Sequence, residues 1–452
     1  MAAGRVIGGS SSINGLIFIR GQQEDFDDWE RLGAVGWSYR ELLPYFRRYE
    51  RFRGGDSQYH GGFGEFEVSE LRNDNPASAA WVDAGVEFGL PRNPDFNGET
   101  TFGVGAYHLG IGKRWRTSSA SAFLQPVAHR DNLTIVTHAQ VSNVIFMGKT
   151  ACGVEWISRN QTLRATADQE VILCAGALQS PQILQLSGIG PADALGKLKI
   201  PVVVDSPGVG DNLQDHYQAR LIVRLKQPIS LNDQVPNPIE LARMGLQWMF
   251  AGSGPLTVGA GQVGGAACTE YAVNGRPDVQ FNVMPLSVDK AGAPLHTYSG
   301  FTASTWQCHG KSRGRLAIRS TDPFDQPRIE PNYFTEEIDR KTIVAGLKIL
   351  REIFQQKSFR PLWDVEMVPG EVSSSDDDLW HFARDTGGTC FHCVGTCRMG
   401  SDARSVLDPQ LRVRGVERLR VIDASVMPQV TSANTNATSL MIGERGAALL
   451  MS

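Results

Sequence analysis

Hydrophobic and polar positions along this chain sort into two recurring patterns. Short apolar runs bounded by turn residues predict strands over residues 133–137, 141–147, 170–174, 279–283 and 314–318. Helical spacing appears after Asn75-Pro76, where Trp81, Val82, Val86 and Phe88 lead to a stop at Gly89. A second helix is predicted to open at Ser180-Pro181 and run through Ile183, Leu184 and Leu186. Thr335 is placed to cap a third, with Ile343, Leu347, Leu350 and Phe354 on one stripe, and Ser375 a fourth through Leu379, Trp380 and Phe382. Between Trp29 and Phe52 the mixed aromatic and acidic pattern suggests short surface helices.

Two glycine turns interrupt this pattern. Gly4 to Gly15 is a glycine-serine ribbon able to lay backbone N–H groups against a ring or phosphate; a flexible tail is the alternative, weakened by Ile13, Leu16, Ile17 and Ile19. Ala175-Gly176-Ala177 joins a strand to a helix, either as an anion-binding helix start or as a packing turn.

Composition narrows the function classes. At 452 residues, two domains are expected. The net charge of −4 gives no reason to expect nucleic acid or an anionic membrane as a partner. The 48 glycines suit close approach of backbone to a cofactor. Seven cysteines without a framework spacing favour reduced thiols and a cytoplasmic location, with loose association to a membrane surface left open. No apolar run reaches the length needed to span a bilayer.

Two motifs look like chemistry and read as decoys. Gly259-Ala260-Gly261-Gln262-Val263-Gly264 spells a dinucleotide fingerprint, but a glycine-proline loop precedes it and no helical stripe follows, so a loop is expected. Cys390, Cys393 and Cys397 beside His392 resemble metal ligands, yet no second paired set exists, and no metal is expected.

The candidate chemistry lies between Phe391 and Glu444. His392 stands in a glycine-bearing turn, and Asn436 precedes the apolar run that begins at Thr438. A neutral imidazole can accept a hydroxyl proton, and an amide can donate to the oxygen left behind. A plain helix cap for Asn436 and a structural role for His392 are the alternatives.

These stretches carry a resemblance. Residues 4–27 and 176–190, the block from Gly208 to His216, and the C-terminal stretch are similar, in order, to the signatures of the glucose-methanol-choline flavoenzymes. The resemblance implies a mixed α/β fold: a Rossmann-like FAD-binding domain assembled from separate segments, and a substrate domain with an antiparallel sheet covered by helices. It implies boundaries at 1–217, 218–390 and 391–452 for the flavin-binding part, the substrate part and the return to the flavin. It implies noncovalent FAD along Val6, Gly8, Gly9, Asn14, Gly15 and Leu16, with Val141 toward adenine and Asp423 and Ala424 toward the ribityl phosphate. Ile13 stands where some relatives carry a histidine tether. His392 and Asn436 would be the catalytic pair oxidising a primary alcohol to an aldehyde, with oxygen, a quinone or another carrier left open as electron acceptor. Three departures stand out: Cys393 and Thr438 replace common prolines, and no ADP-binding βαβ unit precedes Gly4. A truncated, FAD-deficient member and a flavin-containing lyase on the same scaffold are the rival expectations.

Overall fold

A computed structural model describes residues 3–259, 261–290, 292–370 and 373–451. Its largest element is a seven-stranded sheet. Along it lie Trp363–Val368, Tyr217–Leu225, Gly300–Gln307, Val279–Met284, Val263–Ala267 and Gly103–Ala106, each antiparallel to the next, with Gly388–Thr389 also paired to Tyr217–Leu225. The helices Pro76–Phe88 and Glu337–Phe354 cover one face, and Trp81, Leu221, Phe281, Phe301, Leu347 and Phe354 form the core between them. Glu337–Phe354 sits so close that a Cβ on Gly346 would lie 2.5 Å from Thr305 Oγ1. Both Pro76–Phe88 and Gly103–Ala106 come from the first 217 residues, so this layer recruits chain from both sides of the expected boundary.

The second layer holds the three-stranded antiparallel sheet Gln140–Met147, Thr150–Ser158 and Gln161–Thr166, the parallel pair Val171–Leu173 and Leu419–Val421, and the helices Gly176–Leu186 and Asn436–Met451. Helices Gln23–Arg31 and Tyr39–Tyr49 pack beneath them. Their expected surface role is corrected: Phe26, Trp29, Trp37, Leu42 and Phe46 are all fully buried. Most of the acidic and basic residues that suggested solvent lie on the outer stripe of each helix, but Asp25 is buried.

Other expectations also change. Residues 133–137 form no strand, because among the described residues no strand pairs with their backbone, and Ile135 and Val136 are 42% and 57% exposed. Arg315–Ala317 is a strand but pairs with Arg328–Glu330 in a separate hairpin, not in the large sheet. The cap expected of Thr335 falls to Glu336. The fingerprint-like glycines are part loop and part strand: Val263–Ala267 lies inside the large sheet, where a Cβ on Gly264 would meet the Phe281 carbonyl at 2.2 Å, while Ala260 lies outside the described residues. Gly176–Leu186 begins four residues before the predicted Ser180-Pro181 start, with Pro181 inside. A proline there cannot bond the carbonyl of Ala177. Thr396 Oγ1 donates to that carbonyl instead, at 2.6 Å, and so ties the helix to the His392 turn. Among the described residues no helix is long and apolar enough to cross a membrane.

Candidate active site

The turn carrying His392 is built against the block Asn212–His216, whose side chains reach both candidate stretches. Gln214 and Val394 exchange backbone hydrogen bonds at 3.1 and 2.9 Å. Phe391 takes a left-handed backbone (φ 62°), and so does Gly395 (φ 89°), where a Cβ would lie 2.6 Å from the Asn212 carbonyl. The Asp215 carboxylate accepts from the His392 backbone N–H at 2.7 Å and from Tyr333 Oη at 2.5 Å, and also from Thr389 Oγ1. Burial pushes the Asp215 carboxyl up to about 6 against those donors. Gln214 accepts from Val430 N–H at 3.2 Å and donates to the Pro428 carbonyl at 3.1 Å, fixing the segment that leads to the asparagines.

His392 is buried, and burial together with the neighbouring His216 holds its pKa well below the ordinary imidazole value. His216 is also buried, with its pKa pushed down to about 4. The two Nδ1 atoms lie 2.9 Å apart, and His216 Nε2 is 2.9 Å from the Cys308 carbonyl. Opposite, Asn434 Nδ2 is 3.1 Å from His392 Nε2.

The sequence pairs His392 with Asn436. The structure gives that contact to Asn434, two residues upstream, while Asn436 is the first residue of helix Asn436–Met451. Asn434 lies in the loop just before that helix, two residues from its start. The loop is held by Asp25, which accepts from Ser432 N–H at 2.8 Å and from Ser432 Oγ at 2.9 Å. Burial opposes the Asp25 charge, but His309 and Arg276 beside it hold its carboxyl below the usual range. Thr438, in place of a common proline, donates through Oγ1 to the Arg20 carbonyl at 3.0 Å.

The residues expected along the flavin form a continuous ribbon. Arg5 donates to Gln140 Oε1 at 2.7 Å, which sets the Val6 end beside Val141. Gly8 packs against Ala120, and Asn14 Oδ1 accepts from Arg116 at 2.6 Å. At the far end Leu16, Ile17 and Ile19 cluster with Ala433, next to Asn434. Val6, Ile7 and Ile13 are each more than half exposed, and a Cβ on Gly9, Gly15 or Gly176 would meet nothing within 4 Å. Apolar side chains turned outward beside open glycine backbone are what a flat ring system needs to be received, so these residues fit FAD. Asp423 accepts from Gly176 N–H at 2.9 Å and Ser180 Oγ at 2.5 Å, and Ala424 O meets Gly395 N–H at 3.4 Å. This carboxylate occupies the first N–H of Gly176–Leu186, favouring the packing reading of that turn.

Burial keeps the thiols of Cys390, Cys393 and Cys397 far above their ordinary pKa, hence protonated. A cluster that sequence reading missed, His60, Asp95 and His108, has its ligand-type atoms within 4.8 Å of one another. Its His60 lies 3.0 Å from both Glu50 and Asp95, and Glu50 pairs with buried Arg20 at 2.7 Å. This ionic network anchors the ribbon, because Arg20 N–H donates to Asn97 at 2.9 Å and Asn97 to the Phe18 carbonyl at 3.0 Å.

The chain is similar to known proteins along nearly its whole length. Family models described as GMC oxidoreductase match residues 1–218 and 310–443. Human mitochondrial choline dehydrogenase is 40% identical over 451 residues, covering 99% of this chain and 75% of that protein. An oxygen-dependent choline dehydrogenase of Escherichia coli is 39% identical over 454 residues, covering 99% and 81%. Among solved structures, pyridoxine 4-oxidase from Mesorbium loti superposes with a TM-score of 0.88 at 29% identity, covering 99% of this chain and 84% of that one. An Aspergillus oryzae RIB40 formate oxidase, from a study of FAD modification, gives 0.93 at 25% identity with the same coverage.

Proposed function

This chain belongs to the GMC oxidoreductase family and is an FAD-dependent alcohol oxidoreductase, and we propose that it oxidises a primary alcohol to an aldehyde with His392 as the base and Asn434 as the donor to the alcohol oxygen. The observation that carries this reading is the 3.1 Å contact between Asn434 Nδ2 and His392 Nε2. An amide N–H there points at an imidazole nitrogen able to accept a proton.

An alcohol seated between the two side chains gives its hydroxyl proton to His392 Nε2, while Asn434 Nδ2–H donates to the oxygen. Alkoxide character on that oxygen weakens the C–H bond of the carbinol carbon. FAD supplies, when bound, the two-electron acceptor for the hydride. Val6, Gly8, Gly9, Asn14, Gly15 and Leu16 would hold it on one side, with Val141 at one end and Asp423 and Ala424 beside the catalytic turn. Asn436 opens Asn436–Met451, whose N-terminal N–H groups favour negative charge near the site. Burial of His392 excludes water that would compete for its lone pair.

The curated relatives named above are dehydrogenases that act on choline by name, which makes choline the first substrate to test and favours oxidation over the lyase alternative. FAD-loaded protein mixed with choline without oxygen should lose its oxidised-flavin absorbance and yield the aldehyde. Bleaching by other primary alcohols but not by choline refutes the substrate. Bleaching by none refutes the reaction.

A further inference from the structure

We propose that His216 is a positioning residue that sets the tautomer of His392, keeping the proton on Nδ1 and the lone pair on Nε2. This inference rests on the reading of His392 as the base.

A carbonyl oxygen can only accept, so the 2.9 Å contact from His216 Nε2 to the Cys308 carbonyl requires a proton on that nitrogen. Buried His216 is neutral at ordinary pH, which leaves its Nδ1 bare. Between the two Nδ1 atoms, 2.9 Å apart, the hydrogen must then come from His392. His392 is itself neutral, so its Nε2 carries only a lone pair, aimed at Asn434.

Asn434 offers the competing arrangement. Its Oδ1 is buried without a partner, although rotating the amide would let Oδ1 accept from a protonated His392 Nε2. That alternative pairing satisfies the asparagine and destroys the base. What excludes it is the acceptor on the far side of the imidazole. The acceptor's own orientation comes from the large sheet: Cys308 follows the strand Gly300–Gln307, and its N–H donates to the Asp278 carbonyl at 2.8 Å. The Trp306 ring, 6.2 Å from that of His216 and 6.4 Å from that of His392, walls the same pocket. The substrate layer thus dictates where the proton sits on a base carried by the flavin layer.

The test uses FAD-loaded protein with 15N-labelled histidine. In the wild type, His392 Nε2 should show the shift of an unprotonated nitrogen. His216→Leu removes the acceptor and should slow anaerobic flavin reduction by the alcohol about a hundredfold, the scale on which a wrong tautomer disables a catalytic histidine. His216→Asn, whose Oδ1 overlays the lost Nδ1, should recover most of that loss. A protonated Nε2 in the wild type overturns the proposal, and so does wild-type reduction by a folded His216→Leu. A leucine variant that fails to fold leaves the wild-type spectrum to decide. The underlying reading fails separately, when His392→Ala reduces flavin at the wild-type rate.

Discussion

Replacing Asn434 with alanine distinguishes it from Asn436, the residue expected from the sequence. Its Nδ2 is the donor placed at His392 Nε2, 3.1 Å away, and in the proposed complex it is the one amide donating to the developing alkoxide. Loss of one such donor costs about 10²–10³ in rate, or ~3–4 kcal/mol of barrier. Asn434 is half-buried, not sealed from solvent, so the lower end is expected, about a hundredfold. Stability should hardly change, because its Oδ1 has no partner to lose and its loop is anchored through Ser432 to Asp25. Asn436→Ala, at the first position of a helix, should leave the rate within about threefold and shift stability by less than ~1 kcal/mol. Stopped-flow reduction of the bound flavin under anaerobic conditions measures the rate, and urea titration the stability. Equal rates for Asn434→Ala and wild type would refute the assignment. A slower Asn436→Ala would move the role back to that residue.

Further outcomes follow from other parts of the structure. The depressed pKa of His392 means the base stays unprotonated as pH falls through the ordinary histidine value, so flavin reduction should be flat from pH 8 to 6.5 and decline only below that, where Asp215 (about 6) also takes a proton. A decline centred at or above about 6.5 contradicts the burial argument. Gly15→Val fills the open side of the ribbon and should weaken FAD binding by tenfold or more in equilibrium dialysis without unfolding the apoprotein, and unchanged binding would remove the ribbon from the flavin site. Glu50→Gln leaves Arg20 buried and unpaired, an arrangement that costs about 3–5 kcal/mol. Denaturation with an unchanged midpoint would contradict it.

Much of the candidate site was legible in the sequence, and the differences between expectation and structure share a cause. His392 and the ribbon stand out because glycine turns and an apolar approach are local signals. The choice between Asn434 and Asn436 is not local: it depends on where the loop ends and the helix begins, which Asp25 settles from about four hundred residues away in the chain. His216 was visible as part of a motif, but its contact with His392 exists only once Tyr217–Leu225 and the Phe391 turn meet. The early start of Gly176–Leu186 likewise depends on Thr396 taking a carbonyl that Pro181 cannot. Residues 133–137 have a strand's composition and, among the described residues, no strand beside them, so periodicity alone misplaced them.

The central claim is that one imidazole takes the proton of the alcohol. Anaerobic flavin reduction by His392→Ala tests it most directly, read together with flavin content. The account predicts a rate lowered a hundredfold or more, as for loss of a general base, with FAD bound as in the wild type. Reduction at nearly the wild-type rate, with flavin in place, would contradict it.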